Sequence, residues 1–259
     1  MAHGDNKREI GVLFQFSTYA LTVGTVFLPV FAFFACVALS IIYDFEESTK
    51  THCRVRNYLP SISSAIGGFT PQRYIWRICI ALHSWPRYFV AFVYRNYYLS
   101  YQVHEWRPVY SLLANFACLL NITELSALVV LTFISSSENY SIHEASFVVF
   151  MVTSEVYMLC SCILYKWSHM NRLFSPLERK SFRLKLSLMV FNVTCFLLAI
   201  YFFFRHNSYC ESGVYTVFAF LEYMVVLSNM AFHSTIMYDS PLGAMQFNHM
   251  AAIDALKVA

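Results

Sequence analysis

The chain has 259 residues, of which 58% are apolar and 13% are charged, and its formal net charge at pH 7 is +3. Soluble globular proteins carry about 25% charged residues, so this composition excludes an ordinary soluble domain and indicates an integral membrane protein. No stretch is left over that would form a separate soluble domain, which excludes nucleic-acid binding as well.

Six stretches are apolar over about 20 residues, the length that a helix needs to cross ~30 Å of hydrocarbon. The first has no charge between Gly11 and Tyr43 and is too long for the apolar core of a cleaved signal peptide, so we predict a retained anchor. The predicted fold is all-α, an integral membrane bundle of six transmembrane helices within residues 19–239. The stretches are approximately Tyr19–Tyr43, Tyr74–Leu99, Val109–Ile134, Ala145–Tyr165, Leu186–Phe204 and Gly213–Tyr238.

Lys and Arg in the connections predict the orientation, because cytosolic loops carry an excess of both. One side collects eleven of them: Lys7, Arg8, Arg95, Arg107, Lys166, Arg172, Arg179, Lys180, Arg183, Lys185 and Lys257. The other side collects five: Lys50, Arg54, Arg56, Arg73 and Arg205. We therefore expect cytosolic tails at 1–18 and 240–259 and luminal or extracellular loops at 44–73, 135–144 and 205–212. The basic run 166–185 either sets the topology and touches lipid headgroups or binds a specific anionic lipid.

The second apolar stretch differs from the others because basic groups lie along it, namely Arg77, His83 and Arg87. Polar groups inside an apolar span are costly and mark candidate functional sites. At ~1.5 Å per residue, His83 is predicted near the middle of the membrane, with Arg87 one turn deeper on the same face. Other spans place polar residues at similar depths, with His233 nearer the cytosolic end: Asn121, Glu124, Glu155, Glu222 and Asn229.

These residues predict a polar bundle interior in which Arg87 pairs with Glu124 or Glu222. Two interpretations stay open. In the first, the charges form a structural ion pair and hold the helices together. In the second, they line a cavity that holds a lipid headgroup or ester, with His83 beside a carboxylate as an acid–base group for acyl transfer.

A second polar group of residues is predicted at the luminal interface. Arg73 and Arg77 are one helical turn apart, a spacing that suits a phosphate at headgroup depth, although ordinary interfacial anchoring explains it equally well. The whole group consists of His52, Arg73, Arg77, His143, Glu144, His206, Asn207 and Glu211.

The eight cysteines divide into six within spans, predicted to be packing residues, and two in loops. Cys53 and Cys210 both fall on the predicted luminal side, where an oxidising compartment favours a disulfide between them, with two free thiols as the alternative. Asn139, in Asn-Tyr-Ser, is a candidate glycosylation site in a short loop. The chain has no phosphate-binding glycine loop and no GxSxG, HExxH or CxxC motif, so we predict neither a metal nor a bound cofactor.

Several runs resemble a known family. Residues 51–68, THCRVRNYLPSISSAIGG, resemble the first luminal loop of the post-GPI-attachment-to-proteins factor 2 family, and PQRYIWR at 71–77 and LHSWPR at 82–87 continue the match. The wider Frag/DRAM/Sfk family shares only the outline, notably the Pro-x-Ile-Ser turn and the Pro-Arg pair. Further runs match in order and spacing: SSSE at 135–138, SIHE at 141–144, FRHN at 204–207, YCE at 209–211, GVYT at 213–216 and NMAFH at 229–233.

The resemblance implies a multi-pass protein of the Golgi or endoplasmic-reticulum membrane that remodels the lipid of GPI anchors. Its substrate would be a GPI lipid or a GPI-anchored protein among membrane lipids, and its reaction the reacylation of a lyso-GPI intermediate with a saturated chain at the second glycerol position. That step supports maturation and stable surface display of GPI-anchored proteins. The candidate catalytic residues are then His83, Glu124, Glu222 and His143. The candidate lipid- or phosphate-binding residues are Arg73, Arg77, Arg87, His206, Asn229 and His233.

Two other functions are compatible with the same residues. One is a non-catalytic lipid-binding or scaffold subunit that presents GPI to a separate acyltransferase partner. The other is a membrane regulator of the autophagy-modulator kind, to which the wider family points. No residue pattern specifies the acyl donor.

Overall fold

The computed structural model describes residues 12–101, 107–170, 173–239 and 244–248. Six long helices make up most of this part of the chain, and two short ones lie in the connection after the first. In chain order they are α1 (Thr18–Tyr43), α2 (Phe45–Ser48), α3 (Ile62–Gly67), α4 (Gln72–Ser100), α5 (Arg107–Phe133), α6 (Tyr140–Ser168), α7 (Pro176–Tyr209) and α8 (Val214–Ser234), followed by a 3₁₀ turn at Thr235–Tyr238.

Five of the described helices are long and apolar enough to cross a membrane: α1, α5, α6, α7 and α8 with its 3₁₀ turn. The chain is therefore a multi-pass membrane protein. The helix α4 has 29 residues and coincides with the second predicted span, but its polar content keeps it outside this group. Composition alone thus supports five of the six predicted spans.

The helix α4 carries its polar side chains inward and apolar side chains outward. Gln72, His83 and Arg87 are buried among neighbouring helices. On the outer face Leu82 and Trp85 are 58% and 68% exposed. An apolar outer face suits contact with lipid, and polar groups that face other helices avoid the cost of contact with hydrocarbon. The average composition of α4 conceals this division between a polar inner face and an apolar outer face.

The six long helices form a closed ring. Each packs against the next along the chain, and α8 packs back against α1. Such an order follows when antiparallel helices are joined by short connections. The connections 44–71, 134–139 and 210–213 consequently meet at one end of the ring, which we call the disulfide end. There the backbone N–H of Gly213 donates to the Arg56 carbonyl at 2.9 Å.

Local sequence signals set the limits of α7. Ser175 caps its start, where the hydroxyl accepts from the backbone N–H of Glu178 at 3.2 Å and the Glu178 carboxylate accepts from the backbone N–H of Ser175 at 2.9 Å. Pro176 follows at the first helical position, where its missing N–H leaves no bond unmade. At the far end Cys210 adopts φ 50° and Gly213 φ 78°, so the chain reverses within four residues and enters α8.

At the opposite end of the ring Lys185 corrects one expectation. The sequence places it in a basic surface run, yet its ammonium lies 2.8 Å from the Asp239 carboxylate, and both side chains are buried. Lys185 also donates to Thr235 Oγ1 at 2.7 Å, and the Tyr94 hydroxyl donates to Asp239 at 2.6 Å. The reason is that Asp239, just beyond the last helix, folds back and neutralises the charge. The ion pair joins the end of the bundle to α7, and the Tyr94 hydrogen bond joins it to α4.

Two short strands lie within the segments predicted as cytosolic tails. The segment β1 (Val12–Ser17) pairs antiparallel with β2 (Ala244–Asn248). The pairing joins residues more than 200 positions apart, and it forms because α1 and α8 are neighbours in the ring, which no local pattern indicates. Four basic residues counted in the topology prediction lie outside the described residues: Lys7, Arg8, Arg172 and Lys257.

Candidate functional site

Polar side chains from four helices meet inside the ring. The Arg87 guanidinium donates to Asn121 Oδ1 at 3.3 Å and lies 3.5 Å from Glu124 Oε1. The Glu124 oxygen also accepts from Asn229 Nδ2 at 3.2 Å, and the Arg87 and Glu124 side chains are 8% and 0% exposed. We call this group the buried polar cluster: Arg87 of α4, Asn121 and Glu124 of α5, Ser154 of α6, and Asn229 and His233 of α8.

The His233 ring bridges the two charges of the cluster. Its Nε2 lies 3.0 Å from Glu124 Oε1 and 2.7 Å from Arg87 Nη2, and its Nδ1 lies 3.1 Å from the same Arg87 nitrogen. The ring therefore lies against both groups, and the Glu124 carboxylate offsets the charge of the Arg87 guanidinium.

Glu222 and His83, predicted at a similar depth, lie outside this cluster. Glu222 does not pair with Arg87, because its Oε2 accepts from the backbone N–H of Ile62 at 3.0 Å and so holds the start of α3. Of the two partners proposed for Arg87, the structure thus selects Glu124. His83 uses Nδ1 to donate to the Thr25 carbonyl of α1 at 2.7 Å, which fixes the ring against that helix.

At the disulfide end His143 contacts a residue that sequence reasoning missed. Its Nε2 lies 2.9 Å from Ser63 Oγ of α3, and its Nδ1 lies 2.8 Å from the Ile134 carbonyl. Ser63 belongs to the Pro-Ser-rich turn that the sequence singles out, but that turn contains three serines, Ser61, Ser63 and Ser64, and none is distinguished by spacing. Only the fold, which brings α3 against the start of α6, identifies Ser63.

The two arginines of the predicted phosphate site do not converge on a shared position. Arg73 donates to the carbonyls of Gly67 and Gly68 at 2.9 and 3.3 Å. Arg77 donates to the Phe133 carbonyl at 2.9 Å and forms an ion pair with Glu138 at 2.8 Å. Each arginine therefore ties α4 to a different connection.

Glu138 stabilises the connection 134–139 through hydrogen bonds within it. One of its carboxylate oxygens accepts from both the backbone N–H and the hydroxyl of Ser135, each at 2.9 Å. These hydrogen bonds, with a smaller contribution from the Arg77 guanidinium, lower the pKa of the Glu138 carboxyl. Next to it, Asn139 caps the start of α6, and its side-chain oxygen accepts from the backbone N–H of Ile142 at 3.1 Å.

Cys53 and Cys210 form a disulfide that joins the first connection to the last. His206, the remaining predicted binding residue, is buried beside it, with Nε2 3.2 Å from Thr51 Oγ1. In the part of the chain that the structure describes, one group has the spacing of metal ligands: His52, Cys53 and His206. Because the Cys53 sulfur is bonded to Cys210, it offers no thiolate, and two imidazoles alone do not form a protein metal site.

A cavity of about 60 Å³ connects the disulfide end with the buried polar cluster. Ser63 and Glu222 line one part, and Arg87 and Asn229 line another. The walls between them are mostly apolar: Pro29, Ile62, Ile66, Trp76, Ile80, Leu128, Leu131, Phe147, Phe150, Val226 and Met230. The lining of the cavity is therefore mostly apolar, with polar groups at separate places.

Comparison with known proteins agrees with this architecture. The family model described as the Frag1/DRAM/Sfk1/Cwh43P N-terminal domain matches residues 17–241. A relative from Xenopus tropicalis named "Acyltransferase PGAP2" is 49% identical over 225 residues, covering 87% of each chain. A Drosophila melanogaster relative named "Post-GPI attachment to proteins factor 2" is 45% identical over 228 residues, covering 88% of each.

More distant similarity extends to the Schizosaccharomyces pombe protein cwh43, which is 24% identical over 210 residues, 80% of this chain and 20% of that protein. No solved structure matches the chain. The family match and the close relatives both span nearly the whole ring of helices and its three connections at the disulfide end. The chain therefore belongs to the post-GPI attachment to proteins factor 2 family of multi-pass membrane proteins, within the wider Frag1/DRAM/Sfk1/Cwh43P group.

Proposed function

We propose that this protein is a membrane acyltransferase of GPI-anchor maturation, which esterifies a lyso-GPI intermediate with a saturated fatty acyl chain at the second glycerol position. Relatives at 41–49% identity carry names that refer to acyl transfer or to post-GPI attachment, which supports the substrate class. The product would be a remodelled GPI anchor on a protein destined for stable display at the cell surface.

The observation that carries the proposal is the cavity between the disulfide end and the buried polar cluster. Its apolar walls match an acyl chain, and its polar residues match the glycerol, ester and phosphate parts of a lipid. In this proposal Arg87 and Asn229 bind polar parts of the lipid, and His83 and Glu222 bound the space between them. Glu124 and His233 act through Arg87, whose position they fix.

A specific observation favours the alternative of a non-catalytic scaffold subunit. Arg87, Glu124 and His233 satisfy one another, and Arg73 and Arg77 are bonded to carbonyls and to Glu138, as expected for purely structural charges. Such a protein would hold GPI for a separate acyltransferase. The two functions share the lipid-binding cavity and differ in whether the purified chain transfers an acyl group by itself.

The finer topology and the location belong to the same proposal. We place all six long helices across the membrane, with both termini in the cytosol and the disulfide end in the lumen of the Golgi apparatus or the endoplasmic reticulum. The disulfide supports this orientation, since such bonds persist in oxidising compartments. A luminal disulfide end would also face the leaflet in which GPI lipids and their protein cargo reside.

The test uses cells that lack the native protein. We expect the wild-type chain to restore the saturated second chain on GPI anchors, measured by mass spectrometry of released lipids. Leu128→Trp places a larger side chain in the cavity and should abolish this restoration. The control Leu197→Trp, at a side chain of α7 that is 60% exposed, should not affect it. Protein abundance is measured in parallel because overpacking costs about 1–3 kcal/mol. Normal remodelling by a well-expressed Leu128→Trp chain would contradict the proposal.

A further inference from the structure

A serine and a histidine from different parts of the chain form a close pair at the disulfide end. Ser63 Oγ lies 2.9 Å from His143 Nε2, and His143 Nδ1 lies 2.8 Å from the Ile134 carbonyl. A carbonyl oxygen only accepts, so Nδ1 carries the proton and Nε2 presents its lone pair to the Ser63 hydroxyl. This is the arrangement of a serine nucleophile and its general base, with a carbonyl in the orienting position. We infer that Ser63 and His143 carry out the acyl transfer, an inference that rests on the proposed function.

The short helix α3 holds Ser63 in place through bonds to two long helices. The backbone N–H of Ile62, directly before Ser63, donates to Glu222 of α8 at 3.0 Å. The Tyr223 hydroxyl of α8 donates to the Pro60 carbonyl at 2.6 Å, and the Ser40 hydroxyl of α1 donates to the Ala65 carbonyl at 2.9 Å. Catalytic groups need such support, because small displacements of a reacting atom greatly reduce the rate. Glu222 is therefore a positioning residue for Ser63.

In this pair the serine faces the cavity and the histidine lies behind the serine. Ser63 lines the cavity and is partly exposed, so a bound ester can reach its hydroxyl. His143 is 6% exposed and stands behind the serine, where the protein shields it from bulk solvent. A purely structural serine–histidine contact would not need to face a cavity. This placement connects the Ser-rich turn, which the proposed lipid-binding residues leave without a role, to the reaction.

The chemistry proceeds by two displacements. In the first, Ser63 Oγ bonds to the carbonyl carbon of an activated acyl group, and His143 Nε2 takes the hydroxyl proton. The bond between the acyl carbon and the donor's oxygen or sulfur breaks, and the leaving group takes the proton from His143. In the second, the free hydroxyl of the lyso-lipid attacks the acyl-Ser63 ester and gives its proton to His143, which returns it to Ser63 Oγ. The donor is a carboxylic ester of a glycerophospholipid or an acyl thioester, since both supply the same acyl group.

The first test is covalent labelling of the full-length protein in detergent or lipid nanodiscs. A fluorophosphonate reacts with serines activated by a base, and we expect one label per chain, located on Ser63 by peptide mass spectrometry. Ser63→Ala and His143→Gln should each lose the label, although glutamine keeps a hydrogen bond to Ser63. The matched control Ser64→Ala changes the next serine of α3, which contacts Ser61 and not the histidine, and should label as the wild type does. A label on another residue, or none, would overturn the inference whether or not acyl transfer is observed.

The second test follows acyl transfer with the same variants and with each donor class separately. Ser63→Ala should lower the transfer rate at least 100-fold, and Ser64→Ala should leave it within threefold. Without acceptor lipid, the true donor should leave an acyl group on Ser63 that hydroxylamine removes. Ser63→Cys should retain slow transfer that a thiol-alkylating reagent abolishes. If the wild type transfers acyl groups and folded Ser63→Ala does so equally well, this inference fails while the proposed function stands. If the wild type labels on Ser63 but transfers from neither donor to lyso-GPI, the proposed function fails instead.

Discussion

Arg87 shows how a single residue determines the interior of this protein. A guanidinium in the middle of a bundle is too deep to reach water along its own stem, so it needs partners from other helices. Asn121, Glu124 and His233 provide them, and the Glu124 carboxylate offsets the charge of the guanidinium. The sequence predicts the need for a partner from the depth of the residue. It does not choose between Glu124 and Glu222, because both acids lie at similar depth and the choice depends on how α8 is rotated.

Removing this arginine should destabilise the fold. We expect Arg87→Ala to leave the Glu124 carboxylate buried without its cation, at a cost of about 3–5 kcal/mol. The measurements are protein abundance in cells and the thermal midpoint of the purified chain. Arg95→Ala serves as a control, because Arg95 lies on the same helix with exposed contacts and should change stability by about 0.5 kcal/mol or less.

A double substitution separates a structural from a binding role of Arg87. Arg87→Ala with Glu124→Gln removes both charges and should recover abundance. If Arg87 binds the anionic lipid, GPI remodelling stays defective in this variant; if the pair is only structural, remodelling recovers together with abundance. An Arg87→Ala chain with normal abundance and normal lipid composition would contradict both roles.

At the scale of elements, α4 and the connections of the disulfide end show where sequence patterns succeed and fail. The apolar stretches locate the six long helices because hydrophobic length is a local property. The inward polar face of α4 follows from residue spacing once a bundle is assumed. The positions of α3 against α6 and of Asp239 against Lys185 depend on contacts between distant segments, which is why Ser63 and the Lys185 ion pair were not predicted.

The disulfide should contribute strongly to stability, since it closes a loop with a sequence separation of 157 residues. On the chain-entropy model such a loop is worth about 4–5 kcal/mol. We expect Cys53→Ser with Cys210→Ser to lower the thermal midpoint and the abundance of the chain, whereas Cys195→Ser, at a cysteine that forms no disulfide in the described structure, should have a smaller effect. Mass spectrometry without reduction should recover a Cys53–Cys210 peptide from membranes. Two freely alkylatable thiols at these positions would be inconsistent with the bond.

The connection 134–139 should respond to acid through Glu138. Because folding lowers the pKa of this carboxyl, its stabilising effect is present above its usual pKa and is lost as the pH falls through the folded-state value. We expect Glu138→Gln to reduce stability near neutral pH by less than about 1 kcal/mol, because the side chain is 43% exposed. The difference from the wild type should vanish in acid. Unfolding midpoints of both proteins across a pH series measure this difference in stability. A difference that grows as the pH falls would contradict the predicted pH dependence.

At the scale of the whole molecule, the ring brings both ends of the chain together and collects three connections on one side. Positive charge in the loops predicts which side faces the cytosol, but four of the residues that decide it lie outside the described part of the chain. The pairing of β1 with β2 requires the two ends to meet on one side of the ring. If the two ends lie on one side of a membrane, the number of crossings is even, and the proposed six-span arrangement with α4 as a crossing meets that condition.

Tag accessibility tests this topology. Tags at both termini should react with antibody after permeabilisation of the plasma membrane alone, and a tag in the connection 44–71 should react only after internal membranes are opened. A tag inserted between α4 and α5, opposite the disulfide end, should react with antibody under the same conditions as the tags at the termini. Opposite results for the two termini would mean that one of the six long helices does not cross the membrane, and α4 would be the first candidate.

The central claim is that this chain itself transfers the acyl group. The measurement that tests it most directly combines purified full-length protein in lipid vesicles, lyso-GPI, and a donor that carries an isotopically labelled saturated chain, offered as phospholipid or as thioester. We predict that labelled diacyl GPI forms in proportion to the amount of wild-type protein and does not form with Leu128→Trp. If neither donor yields labelled product while the same protein binds lyso-GPI, the chain is a scaffold and the claim is wrong.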